Sequence, residues 1–301
     1  MAVSTDGRGP EERSCVSAGV GLETCLELVR HGAHVYMGAR SQAKFDAAQS
    51  VIAHKLQASE TAAVHTAGTL HYLPCDMSTM QSAHRAARTF SRSASLLQQG
   101  LRLDMFVACA GIASGASEAN EDGMEPMMAT NCVNHVAMLR DLLPLLIATS
   151  QKTAGASSCR IVFVSSAAHR WNDVPWTRTR PTFASLDAVR DRRRSNAGRY
   201  AQSKLAQILV VRHLQEELKD KPIACLALHP GELNNAFVTN HFMAAIRHSC
   251  VGAWVMPLVA KVLQAVLLNA QEGARTCLFA ATATEIDRRN WRYVAPCEGR
   301  A

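Results

Sequence analysis

Short apolar runs of β character alternate with longer helical patterns from residue 20 almost to the end of this 301-residue chain, and few architectures accept that rhythm. The runs are "AHVYMGA" (Ala33 to Ala39), "LHYLPCD" (Leu70 to Asp76), "LDMFVACA" (Leu103 to Ala110), "CRIVFVSS" (Cys159 to Ser166) and "PIACLALH" (Pro222 to His229). They are continuously apolar rather than alternating, as strands buried on both faces are. Helical patterns fill the gaps, over Val20 to His31, Ala43 to Leu56, Thr79 to Gln98, Met124 to Thr149, Tyr200 to Lys219 and Val251 to Asn269. The alternation predicts βαβ units in an α/β fold, a single doubly wound parallel sheet flanked by helices.

Composition narrows the function classes. Hydrophobic residues make up 48% and charged ones 19%, so the chain can bury a substantial core. A formal charge of +7 suits an acidic partner such as a phosphorylated cofactor but is too small to argue for nucleic acid. The ten cysteines include no C-x-x-C pair, and several lie within apolar runs, as buried reduced thiols do. Twelve dispersed histidines offer no metal-ligand spacing, so no metal is expected. The opening "MAVSTDGRGPEER" carries no targeting pattern, which makes a cytoplasmic location the expectation. The most apolar segment, Cys250 to Asn269, contains Pro257 and Lys261. It reads as a buried or surface-docked helix, compatible with peripheral membrane contact.

The chemistry is carried by three groups in order. In "RYAQSKLAQ", Tyr200 and Lys204 stand four residues apart on a helix whose Leu205, Ile208, Leu209, Val211 and Leu214 recur at three- and four-residue steps. A nearby ammonium favours a phenolate, which makes such a pair a proton donor and acceptor, although an exposed pair with no role has the same spacing. Ser165 and Ser166 end the strand "CRIVFVSS" at the carboxyl edge, where open α/β sheets place ligands; a turn or cap is the plainer use of two serines. Asn131 lies inside a long helical pattern, where a buried amide must find partners. The arginine run containing Arg190, Arg192, Arg193, Arg194 and Arg199 reads as a solvated loop ahead of an anion site.

Taken together, "GVGLETCLELVRHGAHVYMGAR", "CDMST", "ACAG", "TNCVNHVAMLRDLLPLL", "RIVFVSS", "YAQSK", "LHPG" and "EGARTCLFAATATEI" resemble, in order, the short-chain dehydrogenase/reductase family and within it the retinol-dehydrogenase-like and WW-domain-oxidoreductase-like group. The resemblance runs from about Gly19 to Cys297 and implies a Rossmann-type NAD(P)-binding domain. It makes Tyr200 the general acid or base, Lys204 the group that lowers the Tyr200 pKa and holds the nicotinamide ribose, Ser166 the hydrogen-bond partner of the substrate oxygen, and Asn131 the support of a water-linked proton relay. It places Gly19, Val20 and Gly21 at the cofactor phosphates, Asp76 at the adenine, and Cys109, Ala110, Gly111, Pro230 and Gly231 along the cofactor. Arg40, about 20 residues past the glycine loop, stands where an arginine accommodates the 2′-phosphate of NADP and an acid would bind NAD. An exposed arginine after a strand is also common. A small-molecule alcohol or carbonyl, apolar in character, is the implied substrate, and a homodimer is the assembly many relatives form.

Four departures bear on cofactor binding. Cys15 replaces the first glycine of the family's Thr-Gly-x-x-x-Gly-x-Gly loop, where a side chain resists positive φ and close phosphate approach. Cys109 takes the place of the asparagine in Asn-Ala-Gly, and Asn235 that of a threonine. No apolar strand precedes Ser14: residues 1–13 read as a polar irregular segment before a domain over 14–301, as a truncated or misassembled coding sequence would produce, while "MAVST" could supply a stunted strand. The first strand is thus expected to be missing or atypical. Two functions compete, an NADP-dependent oxidoreductase and a catalytically impaired pseudoenzyme that keeps the fold as an interaction module.

Overall fold

The structure, a computed structural model, describes residues 2–3, 19–58, 68–95, 102–114, 118–152, 159–173, 183–190, 194–231, 268–288 and 293–296. Residues 14–18 of the glycine loop, Arg192, Arg193, Asn235 and almost all of the apolar segment ending at Asn269 lie outside them.

In chain order the elements are β1 (Ala2–Val3), α1 (Val20–Arg30), β2 (His34–Ala39), α2 (Gln42–Gln57), β3 (Thr69–Pro74), α3 (Met80–Ser95), β4 (Met105–Ala108), α4 (Pro126–Met128) running through a π-helical turn (Ala129–Val133) into α5 (Asn134–Lys152), β5 (Cys159–Val164), a 3₁₀ turn (Ala167–Asp173), α6 (Leu186–Val189), α7 (Asn196–Glu217), β6 (Ile223–Leu228), α8 (Ala270–Thr282), α9 (Glu285–Arg288) and β7 (Tyr293–Val294). All strand pairs are parallel. They form a five-stranded ladder in the order β1-β4-β5-β6-β7 and a separate β2-β3 ladder. Among the described residues β1 packs beside β2 without ladder pairing, and the two parts meet there.

The apolar runs become strands because both of their faces are covered. Along β5 every residue is buried, with Ile161 and Phe163 in one core and Val162 and Val164 in the other. The same period of two sends Phe106 and Ala108 of β4 one way and Val107 the other. The first core is roofed by α3, α5 and α7, the second by α1, α2 and α8, which is the doubly wound arrangement. Phe90, Phe106, Phe163, Met138 and Leu142 are among its fully buried side chains. Edge strand β3 is less covered, and its sequence carries His71 and Tyr72 among the leucines.

Two results differ from the sequence reading. Within the segment expected to be irregular, Ala2–Val3 pair with Val107 and Ala108 of β4, a stunted strand in the first-strand position. Helix α8 was not evident from periodicity; it opens with a capping box in which Asn269 Oδ1 accepts from Glu272 N (2.9 Å) and Glu272 Oε2 accepts from Asn269 N (2.7 Å).

Candidate active site

The carboxyl ends of β4 and β5 and one face of α7 bring the expected catalytic side chains together. Helix α7 begins where Ser195 accepts the Gly198 amide at 3.1 Å, and it carries Tyr200 and Lys204 on adjacent turns. Lys204 is buried; its Nζ donates to Val164 O at 2.8 Å and stands 5.6 Å from the centre of the Tyr200 ring. Burial pushes its ammonium down to about 8, with the Cys109 and Cys132 thiols acting in the opposite direction. Tyr200 itself is half-buried.

Asn131 sits in the π-helical turn, completely buried. Its side chain is fixed at three points: Nδ2 donates to Ile112 O (2.8 Å) and Ser203 Oγ (2.9 Å), and Oδ1 accepts from Ile112 N (2.7 Å). Its own carbonyl accepts from Gln207 Nε2 at 2.6 Å. A π-turn displaces the ordinary i→i+4 pairing, and such turns cluster at functional sites. Ser165 and Ser166 divide their tasks. Ser165 Oγ donates to Lys204 O (2.8 Å), tying strand to helix, while Ser166 Oγ accepts the Ala168 amide (3.2 Å) and keeps its own O–H to donate. The 3₁₀ turn that follows Ser166 packs on α7, the helix that carries Tyr200.

The residues assigned to a cofactor line the same edge. Gly19 is the N-cap of α1; having no side chain it makes no capping bond, and its carbonyl takes the Leu22 and Glu23 amides at 3.0 and 3.2 Å. Val20 and Gly21 form the first turn of that helix, whose opening amides suit an anion. Gly111 lies between Asn131 and Lys204: a Cβ there would come 3.1 Å from Asn131 Oδ1, tighter than usual, and 3.6 Å from Lys204 Nζ. Ala110, before it, offers its carbonyl to His135 Nε2 at 2.9 Å, and burial holds that imidazole neutral, down to about 4. Cys109 is half-buried at the end of β4. Buried Pro230 leads into Gly231, whose φ of +96° would strain any side chain, and an added Cβ would come 2.3 Å from Leu268 Cδ1. Arg40 and Asp76 follow β2 and β3, in the other ladder from the catalytic cluster. Arg40 is exposed, next to Ser41, the N-cap of α2. Asp76 Oδ1 accepts from Ser78 N at 2.9 Å, which fixes the turn after β3.

Sequence reasoning passed over Ser203, Gln207, His135 and the buried pair that Glu125 forms with Arg199. The last contradicts the solvated-loop reading of the arginine run in part: Arg194 and Arg199 are buried, and Arg199 Nη1 donates to Glu125 Oε1 at 3.2 Å. The available signal was the spacing 199, 203, 207, one helix face lying beside the 200, 204 pair.

Comparison with known proteins agrees with this arrangement. Residues 15–177 match the family model described as short chain dehydrogenase. The chain is 30% identical over 286 residues to human retinol dehydrogenase 14, covering 94% of this chain and 76% of that one. It is 30% identical over 281 residues to bovine dehydrogenase/reductase SDR family member 13; that alignment covers 93% of this chain and spans 64% of the bovine protein's length. Among solved structures, the fold matches the Pseudomonas aeruginosa RhlG/NADP active-site complex with a TM-score of 0.62 at 21% identity, covering 98% of this chain and 93% of that one. It also matches an NADH-dependent reductase complexed with NAD, with a TM-score of 0.61 at 16% identity, covering 98% and 94% of the two chains.

Proposed function

The chain belongs to the short-chain dehydrogenase/reductase family, and on that premise we propose that it is an NADP-dependent oxidoreductase interconverting an alcohol and a carbonyl on an apolar small molecule. The observation that carries the reading is the buried Lys204 ammonium held beside Tyr200 by Val164 O, with Asn131 locked across Gly111 from it. Bound NADPH would supply the hydride. The chain's residues handle the proton and the orientation. Tyr200 donates its phenolic proton to the carbonyl oxygen as charge develops there, and in the reverse direction takes the alcohol proton. The Ser166 O–H donates to the same oxygen and fixes the carbonyl relative to Tyr200. Lys204, desolvated and cationic, favours the phenolate left behind. Asn131 holds the loop after β4 in place through both polar atoms of Ile112.

The preference for NADP rests on exposed Arg40, placed after β2 and chemically suited to a 2′-phosphate. Peripheral membrane contact belongs to the same reading, in keeping with an apolar substrate and the Cys250 to Asn269 segment. Among the described residues one helix, Pro126–Lys152, is long and apolar enough to cross a membrane by length and composition, and half of its most apolar window is buried within the fold. A homodimer and a cytoplasmic location complete the proposal. The test is NADPH consumption over a panel of apolar aldehydes and ketones, comparing the native chain with Tyr200→Phe. Removing the phenolic proton is expected to lower kcat by roughly 10²–10⁴-fold while NADPH binding by calorimetry stays intact. Binding without turnover in the native chain would favour the pseudoenzyme; absence of binding would sink the NADP assignment.

A further inference from the structure

Glu125 and Arg199 form an ion pair in the interior, each with only a few per cent of its side chain exposed. Burying two charges strips both of water, and a pair of apolar residues of like volume often stabilises a fold as well or better. The pair therefore calls for a reason other than stability, and its connections supply one. Glu125 is the N-cap of α4: Oε1 accepts the Met127 amide at 3.1 Å and Oε2 the Met128 amide at 2.7 Å, which fixes the start of the helix that runs into the π-turn with Asn131. Its Oε1 also takes Arg199 Nη1 at 3.2 Å. Arg199, which also donates to Asn196 Oδ1, directly precedes Tyr200 on α7.

Two more contacts join the same segments. Asn131 Nδ2 donates to Ser203 Oγ, which donates to Tyr200 O at 2.7 Å, and Gln207 Nε2 donates to Asn131 O. Residues 199, 203 and 207 recur every four positions and so line one face of α7, and all three grip the segment carrying Glu125 and Asn131. Tyr200 and Lys204 each follow one of these residues, so a rotation or slide of α7 on that segment moves the two catalytic side chains with it. Leucine against leucine would tolerate such a slide. A guanidinium on a carboxylate that is itself held by two amides has a set direction and length. We propose that Glu125 and Arg199 are positioning residues, a charged outer rung that sets the register of the Tyr200–Lys204 face of α7 against Asn131.

The inference rests on the oxidoreductase reading for its kinetic consequence, and the experiment includes a readout that needs no turnover. The variants are Arg199→Lys, which keeps the charge but loses the planar fork, and the double variant E125Q/R199M, which removes both charges. The Tyr200 ionisation curve is read as the difference in tyrosinate absorbance between each protein and the same protein carrying Tyr200→Phe. With the interior relieved of charge, the double variant is expected to melt close to the native protein. Its Tyr200 ionisation should rise by about one pH unit as Lys204 shifts away. Its kcat should fall roughly tenfold to a hundredfold with the KM for NADPH little changed. R199K should lie between. A double variant with native titration and native kcat would overturn the proposal and leave the pair a folding element; so would a loss confined to KM. If the native protein shows no turnover, the oxidoreductase reading fails, while the titration still decides the positioning role.

Discussion

Lys204 is a cation kept where the surroundings oppose charge, and that has a measurable signature. An unfolded lysine stays protonated to about 10.4, whereas burial brings the folded group down to about 8. Between those limits the unfolded chain holds more protons, so this residue makes stability rise with pH; below about 8 the fold carries the full cost, roughly 3 kcal/mol. Lys204→Met should therefore be more stable relative to the native chain at pH 7 than at pH 10, even though it leaves Val164 O without its 2.8 Å donor. Urea denaturation at the two pH values measures this, and an equal difference at both would show that the ammonium is not desolvated. The grouping of Tyr200, Lys204, Ser166 and Asn131 was readable from the order and spacing of their motifs together, since each taken alone has a plainer structural use. Arg199 and Glu125 were not: 74 positions separate them, and an arginine in a basic run looks solvated until the fold brings a carboxylate to it.

At the level of elements, the strands and most helices follow from apolar periodicity, with ends shifted by a few residues. The predicted Met124 to Thr149 helix appears as α4, the π-turn and α5, a subdivision that no period in the sequence marks. Helix α8 shows the converse: its Asn-x-x-Glu cap is readable, but alanine and glycine blur its apolar face. The stunted β1 has a consequence for opening motions. Among the described residues, two of β1 pair with β4 and none joins a ladder with β2, so there the β2-β3 ladder is attached through α1, α2 and side-chain packing. In hydrogen exchange the amides of β2 and β3 should open at lower free energy than those of β5, which is paired on both sides from Arg160 to Phe163. Equal protection across both ladders would mean that the seam at β1 is mechanically as firm as a paired one.

For the molecule as a whole, the seam and the proposed cofactor site coincide in their demands. Arg40 and Asp76 follow strands of one ladder, while Gly111 and Gly231 follow strands of the other and Lys204 is tied to it through Val164 O, so a dinucleotide reaching both sets would fasten the two parts together. Saturating NADPH at about 100 times Kd should add about 2.7 kcal/mol. Its protection should appear first in the β2-β3 amides; a rise in melting temperature without that local effect would place the ligand elsewhere. The π-turn at Ala129–Val133 also bears on how such a chain can change over generations. A π-turn holds about one residue more than an α-turn in the same full turn, so losing a single codon there would heal the helix into regular form with both flanks kept in phase, and only the side chains inside the turn would change direction. Glu125 could still meet Arg199, but Asn131 would leave Ser203 and Ile112. The one surplus residue thus makes the helix easier to repair than the site, and drift toward a sturdier helix would be drift away from a working enzyme.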